Sequence, residues 1–128
     1  MLFGMAVTVM VQSSSITTSM VVPLVGAGIL TVEQIFPYTM GANLGTTVTA
    51  MLASLATGNI AAVTVAFAHM FFNLTGIGAV YPIRFIRRIP IRLAWALSAL
   101  TDKSRVYAFV FVGGVFYAIP FALIFIWR

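Results

Sequence analysis

Residues 11–19 read VQSSSITTS, which places one amide and six hydroxyl side chains in a row that lacks any charge. Apolar segments flank this run on both sides, MLFGMAVTVM before it and MVVPLVGAGIL after it. Consecutive residues on a helix point about 100° apart, so Ser13, Ser14 and Ser15 cannot all face one packing partner. Gln12 adds an amide whose donors and acceptor each need a partner in an apolar medium. The stretch therefore favours a break in the helix over a simple packing surface.

The first apolar segment, residues 1–30, has two readings that follow from this break. It forms either one long tilted span or two half-helices that enter and leave a bilayer on the same side. Ser and Asn-like side chains favour helix N-caps, and irregular backbone at membrane depth is tolerated where it lines a cavity or packs in protein. This argument favours a re-entrant hairpin with QSSS at its tip and a second half-helix that starts near Ser15.

The composition indicates an integral membrane protein. Of 128 residues, 62% are hydrophobic and 7% charged, and the mean hydropathy is +1.11. A soluble domain carries about a quarter charged residues, which form its solvated surface. There is no cysteine, and no nucleophile–base set or phosphate loop is recognisable, so we predict a protein that is not an enzyme.

The remaining segments predict an all-α membrane domain in which the hairpin is followed by about three transmembrane helices. Thr31 is placed as an N-cap with Gln34 at the capping-box position. The predicted segments are a broken helix over 35–56, a transmembrane helix over 60–83, a basic interfacial segment over 84–105 and a transmembrane helix over 106–127.

Basic residues are clustered rather than spread over a surface. Six of the seven Lys and Arg residues lie in 84–105, where they alternate with apolar residues. This pattern fits a segment in the headgroup plane and argues against a nucleic-acid partner. The positive-inside rule places 84–105 in the cytoplasm and the turn at 57–59 outside.

A second polar constellation is GANLGTTVT at residues 41–49. Gly41 and Gly45 form a GxxxG pattern, which is common on packing faces. Glycines also permit unwinding, and the neighbouring Asn43, Thr46 and Thr47 supply the neutral oxygen ligands that suit Na⁺. If the helix is interrupted here, its broken ends would lie at the same depth as the QSSS tip.

No Lys or Arg occurs in residues 1–83. An anion bound at the membrane midplane would have to be held by helix N-termini, hydroxyl donors and a co-bound cation. Binding of the cation and the anion would then depend on each other, which is the physical basis of coupled transport.

Four segments in order resemble the second QSSS repeat of the type II sodium-phosphate cotransporter family. They are QSSSITTSMVVPLVG, FPYTMGANLGTTVTAMLASLA, AHMFFNLTGI and YPIRFIRRIPIRLA, and together they cover nearly the whole chain. The resemblance implies sodium-coupled symport of inorganic phosphate through two inverted repeats in the plasma membrane. That family carries two QSSS repeats and this chain has one, so we expect the chain to be the C-terminal repeat of a longer transporter.

The resemblance also implies the roles of individual residues. The phosphate-binding residues would be Gln12, Ser13, Ser14 and Ser15. The sodium-binding residues would be Gln12, Ser15, Asn43, Thr46 and Thr47, with Thr17, Thr18 and Thr49 ranked below them. The implied partners are inorganic phosphate, Na⁺ as the co-transported ion, membrane lipids, and a missing N-terminal inverted repeat or second subunit.

Two alternatives to this function stay open. The QSSS and GANLG segments could serve helix packing alone in a structural or accessory membrane protein, or the same architecture could move another anion. His69 and Asn73, spaced i, i+4, could form a proton relay or bind an ion, but a hydrogen-bonding structural role is favoured because no acid accompanies them.

Overall fold

The structure is a computed structural model that describes residues 1–127, and this range is helical without a strand. The helices are α1 (Leu2–Val11), α2 (Ser14–Gly26), α3 (Val32–Thr57), α4 (Ile60–Val80), α5 (Arg84–Lys103), α6 (Val106–Val112) and α7 (Ile119–Ile126), with a π-helical segment at Gly113–Ala118 between the last two. The chain divides into two compact units, Met1–Arg87 and the part from Arg88 onward.

The first apolar segment is two helices and not one. α1 ends at Val11, and α2 begins at Ser14 after a turn of two residues. The two helices contact each other. The second helix was expected to start near Ser15, and it starts one residue earlier because Ser13 takes the N-cap position.

α3 differs from the sequence-based prediction of a broken helix over 35–56. It begins at Val32, directly after its N-cap Thr31. The predicted capping box is confirmed: Thr31 Oγ1 accepts from the Gln34 N–H at 3.3 Å, and Gln34 Oε1 accepts from the Thr31 N–H at 2.9 Å. α3 then runs without interruption to Thr57, where Gly58 at φ 65° ends it. The expectation of unwinding at GANLGTT was therefore wrong.

The glycines of α3 serve close packing instead of unwinding. A Cβ on Gly41 would collide with the carbonyl group of Met1, and one on Gly45 would come 2.7 Å from the Thr8 Cβ. Because both glycines lie under α1, their missing side chains let the two helix backbones approach. The GxxxG pattern thus has its partner within this chain.

The interior of the first unit is made of small residues, and its large apolar residues lie outside. The buried set consists of Gly4, Thr8, Thr17, Val21, Gly41, Ala42, Gly45, Thr47, Ser54 and Ala66. Met10 and Ile60, by contrast, are 84% and 83% exposed. This inversion of the soluble pattern is typical of helices that pack through small residues and turn bulky side chains to lipid.

α3 is the central helix of the first unit, since it contacts α1, α2 and α4. α4 begins at the cap Asn59, whose Oδ1 accepts from the N–H of Ala61 at 2.9 Å, and it ends at Val80 ahead of Pro82. It was predicted over 60–83. Two helical stretches, Ile60–Val80 and Val106–Ile126, are long and apolar enough to cross a membrane.

In the second unit the helix predicted over 106–127 runs from Val106 to Ile126 through a π-helical turn that starts at the pair Gly113 and Gly114. The basic segment predicted over 84–105 forms the helix α5, which spans the boundary between the two units. α5 stays helical through Pro90, and none of its residues is buried.

Candidate functional site

The turn between α1 and α2 is built on a residue in the left-handed backbone region. Gln12 has φ 58° and ψ 24°, and its N–H donates to the Thr8 carbonyl oxygen at 2.7 Å, so it ends α1 as a C-cap. This conformation is uncommon for a residue that has a Cβ. Among residues 1–127 Gln12 is the non-glycine residue with a positive φ. The chain thus holds an amide side chain at a position where glycine would fit the backbone more easily.

Ser13 begins α2. Its backbone is extended and its Oγ accepts from the Ile16 N–H at 3.3 Å, as an N-cap does. The Ser13 carbonyl oxygen accepts from the Thr17 N–H at 3.1 Å and from the Thr17 hydroxyl at 2.9 Å. At a helix start the next N–H groups, those of Ser14 and Ser15, have no acceptor within the helix. They and the positive end of the helix dipole make the start of α2 suited to an anion.

Gln12 lines a cavity of ≈ 420 Å³ between the end of α1 and α3. The lining residues are Val9, Gln12, Thr46, Thr49, Ala50, Leu52 and Ala53. Gln12 is the polar residue that α1 contributes to it, and Thr46 and Thr49 are those from α3. Ser13, Ser14 and Ser15 follow Gln12 in the chain and do not line it.

The threonine hydroxyls of this cavity have already donated their hydrogens. Thr46 donates to the Ala42 carbonyl oxygen at 3.3 Å, and Thr49 donates to the Thr46 carbonyl oxygen at 2.8 Å. A hydroxyl that donates to its own helix presents only lone pairs to anything else. The α3 side of the cavity is therefore an acceptor surface, which suits a cation and does not suit an oxyanion.

Two of the residues predicted to bind sodium lie elsewhere. Asn43 lines a separate cavity of ≈ 190 Å³ between α3 and α4, together with Asn73. Thr47 is fully buried and its hydroxyl donates to the Leu44 carbonyl oxygen at 2.7 Å. The structure brings Gln12 and Thr46 together and leaves Asn43 and Thr47 apart from them.

The three threonines ranked below the other sodium candidates lie in two different places. Thr17 is buried and Thr18 is half-buried, and both hydroxyls donate back to the first turn of α2, to Ser13 and Ser14 respectively. Thr49 lines the same cavity as Gln12. Its spacing of three from Thr46 was the available signal, because residues i and i+3 share a helix face.

The sequence analysis missed Thr8. This residue lies one turn before Gln12 on α1, is 0% exposed, and packs against Gly45. In the part of the chain that the structure describes, its Oγ1 is the buried side-chain polar atom that lacks a hydrogen-bond partner. The spacing of four from Gln12 placed it on the same face of α1, but nothing in the sequence showed that its hydroxyl would stay unpaired.

These features define a class: an all-helical chain with small-residue packing, helices of membrane-spanning length, and a polar helix break beside an acceptor-lined cavity. A family model described as Na⁺/Pi-cotransporter matches residues 1–102. The chain belongs to the Na⁺/Pi-cotransporter family. No solved structure matches it.

Several curated relatives are similar over most of this chain. Sodium-dependent phosphate transport protein 2B of Bos taurus is 43% identical over 125 residues, which is 95% of this chain and 18% of the relative. The 2B protein of Homo sapiens is 44% identical over 122 residues, or 93% of this chain and 18% of the relative. Protein 2A of Oryctolagus cuniculus is 42% identical over 123 residues, or 94% and 19%. The chain therefore spans about a fifth of the length of the relatives that it matches.

Proposed function

We propose that this chain supplies one half of the site of a transporter that moves inorganic phosphate together with Na⁺. The proposal is supported by its family and by relatives that are named sodium-dependent phosphate transport proteins. Since the chain matches about a fifth of their length, the other half of the site comes from residues outside 1–128, in an inverted repeat or a second subunit.

The observation that carries this proposal is the separation of donors from acceptors around Gln12. The start of α2 offers N–H groups and the hydroxyls of Ser14 and Ser15, whereas Thr46 and Thr49 offer oxygen lone pairs. Phosphate needs donors and Na⁺ needs acceptors. Gln12, whose side chain has both an NH₂ and a carbonyl oxygen, lies where the two sets meet.

We assign phosphate to Gln12, Ser13, Ser14 and Ser15, with Ser13 acting mainly through its cap. Sodium is assigned to Gln12, Thr46 and Thr49, which line one cavity, and to Ser15, which lies outside this cavity but three residues after Gln12. Asn43 and Thr47 are left out of this set because of where they lie. With no Lys or Arg in residues 1–83, the bound cation is the positive charge that this half of the site brings to phosphate, so that each ion favours binding of the other.

This function requires a particular arrangement in the membrane. α1 and α2 form a re-entrant hairpin whose tip, Gln12–Ser13, lies at membrane depth, and α3, α4 and the stretch Val106–Ile126 cross the bilayer. α5 lies on the cytoplasmic side of a plasma membrane. Irregular backbone within a bilayer is tolerated where it lines a cavity or packs in protein, and the turn at Gln12 lines a cavity that contains Thr46 and Thr49.

Na⁺-dependent uptake of ³²P-phosphate by the intact transporter that contains this segment tests the proposal. The double variant Gln12→Ala, Ser14→Ala should lose uptake, while Ser19→Ala, which also removes a hydroxyl from α2 but away from the turn, should keep it. Unchanged uptake and unchanged Na⁺ dependence in the double variant would show that the site is wrongly placed.

The same assay separates the alternatives. An accessory or structural protein would give no Na⁺-dependent uptake of any anion in a wild-type preparation that is correctly inserted. A symporter of another anion would give Na⁺-dependent uptake that unlabelled phosphate fails to compete away. We expect unlabelled phosphate to compete fully.

A further inference from the structure

α5 has two distinct faces. At about 100° per residue, the side chains of Ile86, Ile89, Leu93, Leu97 and Leu100 fall within an arc of about 80°. The arginines Arg84, Arg87, Arg88 and Arg92 fall in the opposite sector, together with Ser98 and Asp102. That sector also holds Ile91 and Trp95, so it is basic and aromatic rather than purely polar.

The apolar face of α5 is not buried in the structure. No residue of α5 is buried, and Ile89 and Leu93 on this face are 46% and 65% exposed. A helix of 20 residues with such a face in water would leave a continuous apolar stripe uncovered. Such a stripe needs a cover that the helix itself does not provide.

The flanking sequence limits what that can be. α5 is joined to Ile60–Val80 by residues 81–83 and to Val106–Ile126 by residues 104–105, and both of these helical stretches are long and apolar enough to span a bilayer. When both cross the bilayer, each end of α5 is tethered within a few residues of the same surface. A rigid helix about 30 Å long that is tethered at both ends in this way lies along the surface.

The charge then identifies the surface chemistry. Residues 84–105 carry six basic side chains and one acidic one, Asp102. Five of the six are arginines, whose planar guanidinium groups bind phosphate oxygens with two parallel hydrogen bonds. Arg87 also lies over the ring of Tyr81 at 5.3 Å, a contact that holds the start of the basic sector at the level where aromatic rings meet headgroups.

We propose that α5 is a lipid-binding helix that lies in the cytoplasmic membrane surface, with its apolar face among the acyl chains and its arginines bound to the phosphate groups of anionic phospholipids. The proposal rests on the membrane placement given under the proposed function and does not depend on transport. Anionic lipid around this segment would thereby fix the ends of the two spans that α5 joins.

Two neighbouring positions test the orientation of α5. Residues 1–128 contain no cysteine. In a protein whose other cysteines are replaced, Leu97→Cys and Ser98→Cys each carry a single spin label after reconstitution into phospholipid bilayers. The label at 97 should be accessible to oxygen dissolved in lipid, and the label at 98 to a water-soluble nickel complex. Equal accessibility at both positions, as in a solvated or a fully spanning helix, would overturn the in-plane placement.

Trp95 tests the lipid preference. In a background where every other tryptophan, Trp127 included, is replaced by Phe, Trp95 is the single fluorophore of this kind. Its quenching by brominated phosphatidylserine, compared with brominated phosphatidylcholine, reports which lipid surrounds α5. We expect a clear preference for the anionic lipid. Each arginine near such a surface contributes about a 5-fold preference, so Arg88→Gln with Arg92→Gln should lower the ratio by about 25-fold.

Matched controls identify the source of the preference. Arg88→Lys with Arg92→Lys keeps the charge and should keep most of the preference, and millimolar inorganic phosphate should not reverse it, because the ligand is a headgroup and not the free ion. The proposal would be refuted if the parent protein showed no preference for phosphatidylserine. It would also be refuted if the variant with Arg88→Gln and Arg92→Gln kept the full preference. These measurements need no uptake, so a failed transport assay leaves their result intact.

Discussion

Gly45 of α3 lies against Thr8 of α1 so closely that a Cβ on the glycine would come 2.7 Å from the Thr8 Cβ and 2.8 Å from the Met5 carbonyl oxygen. Both of these atoms are fixed to the backbone of α1 and cannot move without shifting α1 itself. The pair therefore sets the distance between the helix that ends at Gln12 and the helix that carries Thr46.

Gly45→Ala should push α1 away from α3 and destabilise the first unit by about 1–3 kcal/mol, as overpacking does in a close-packed interior. The free energy of unfolding in detergent, measured by loss of helical circular dichroism, checks this. Gly78→Ala is the control, since a Cβ there meets nothing within 4 Å and a helix favours alanine. Equal stability of the two variants would contradict the contact.

Thr8→Val removes the unpaired buried hydroxyl and keeps the shape of the side chain. Because an unsatisfied buried polar group costs about 1–3 kcal/mol, this variant should be as stable as the parent or more stable. Thr47→Val, which instead leaves an equally buried site without its bond to the Leu44 carbonyl, should gain less. Chemical denaturation of the two variants side by side gives the comparison, and a marked loss of stability in Thr8→Val would mean that the hydroxyl has a partner.

Gln12 separates backbone strain from side-chain chemistry. Gln12→Gly fits the left-handed backbone and should leave stability unchanged or raise it, yet it should abolish Na⁺-dependent phosphate uptake because the amide is gone. Gln12→Val should lower stability by about 1–2 kcal/mol, since a β-branched residue is strained at φ 58°. If a well-folded Gln12→Gly variant kept Na⁺-dependent phosphate uptake, the assignment of Gln12 to the binding site would be wrong.

Ser13 separates capping from anion binding. Ser13→Ala loses the bond to the Ile16 N–H and should cost about 1 kcal/mol of stability. Ser13→Asp restores the cap and complements the helix dipole, so the fold should recover. Its carboxylate, however, occupies the place proposed for phosphate, and uptake should fall below that of Ser13→Ala. Thermal unfolding and uptake assays on both variants test this reversal of order.

The break at Gln12–Ser13 could be predicted because its cause is local. Consecutive serines cannot all face one side of a helix, and their side chains compete for backbone N–H groups. The capping box at Thr31 was predictable for the same reason. Both features are settled by residues within four positions of each other.

The course of α3 could not be predicted in this way, because Gly41 and Gly45 allow both unwinding and close approach, and the choice depends on α1. The sequence also did not show that the polar residues of 41–49 would line two separate cavities. Each step of three residues rotates a helical side chain by about 60°, so Asn43 and Thr49 face directions about 120° apart even though both belong to one polar motif. Which of these directions meets Gln12 is decided by packing.

The hydroxyl of Tyr38 donates to the Thr17 carbonyl oxygen at 3.0 Å and so joins α3 to the second turn of α2. A carbonyl oxygen has two lone pairs, and the helix ladder of α2 needs only one of them. The Tyr38 bond therefore adds to the hydrogen bonds of α2 without competing with them, and it ties the part of α2 that carries Ser14 and Ser15 to α3.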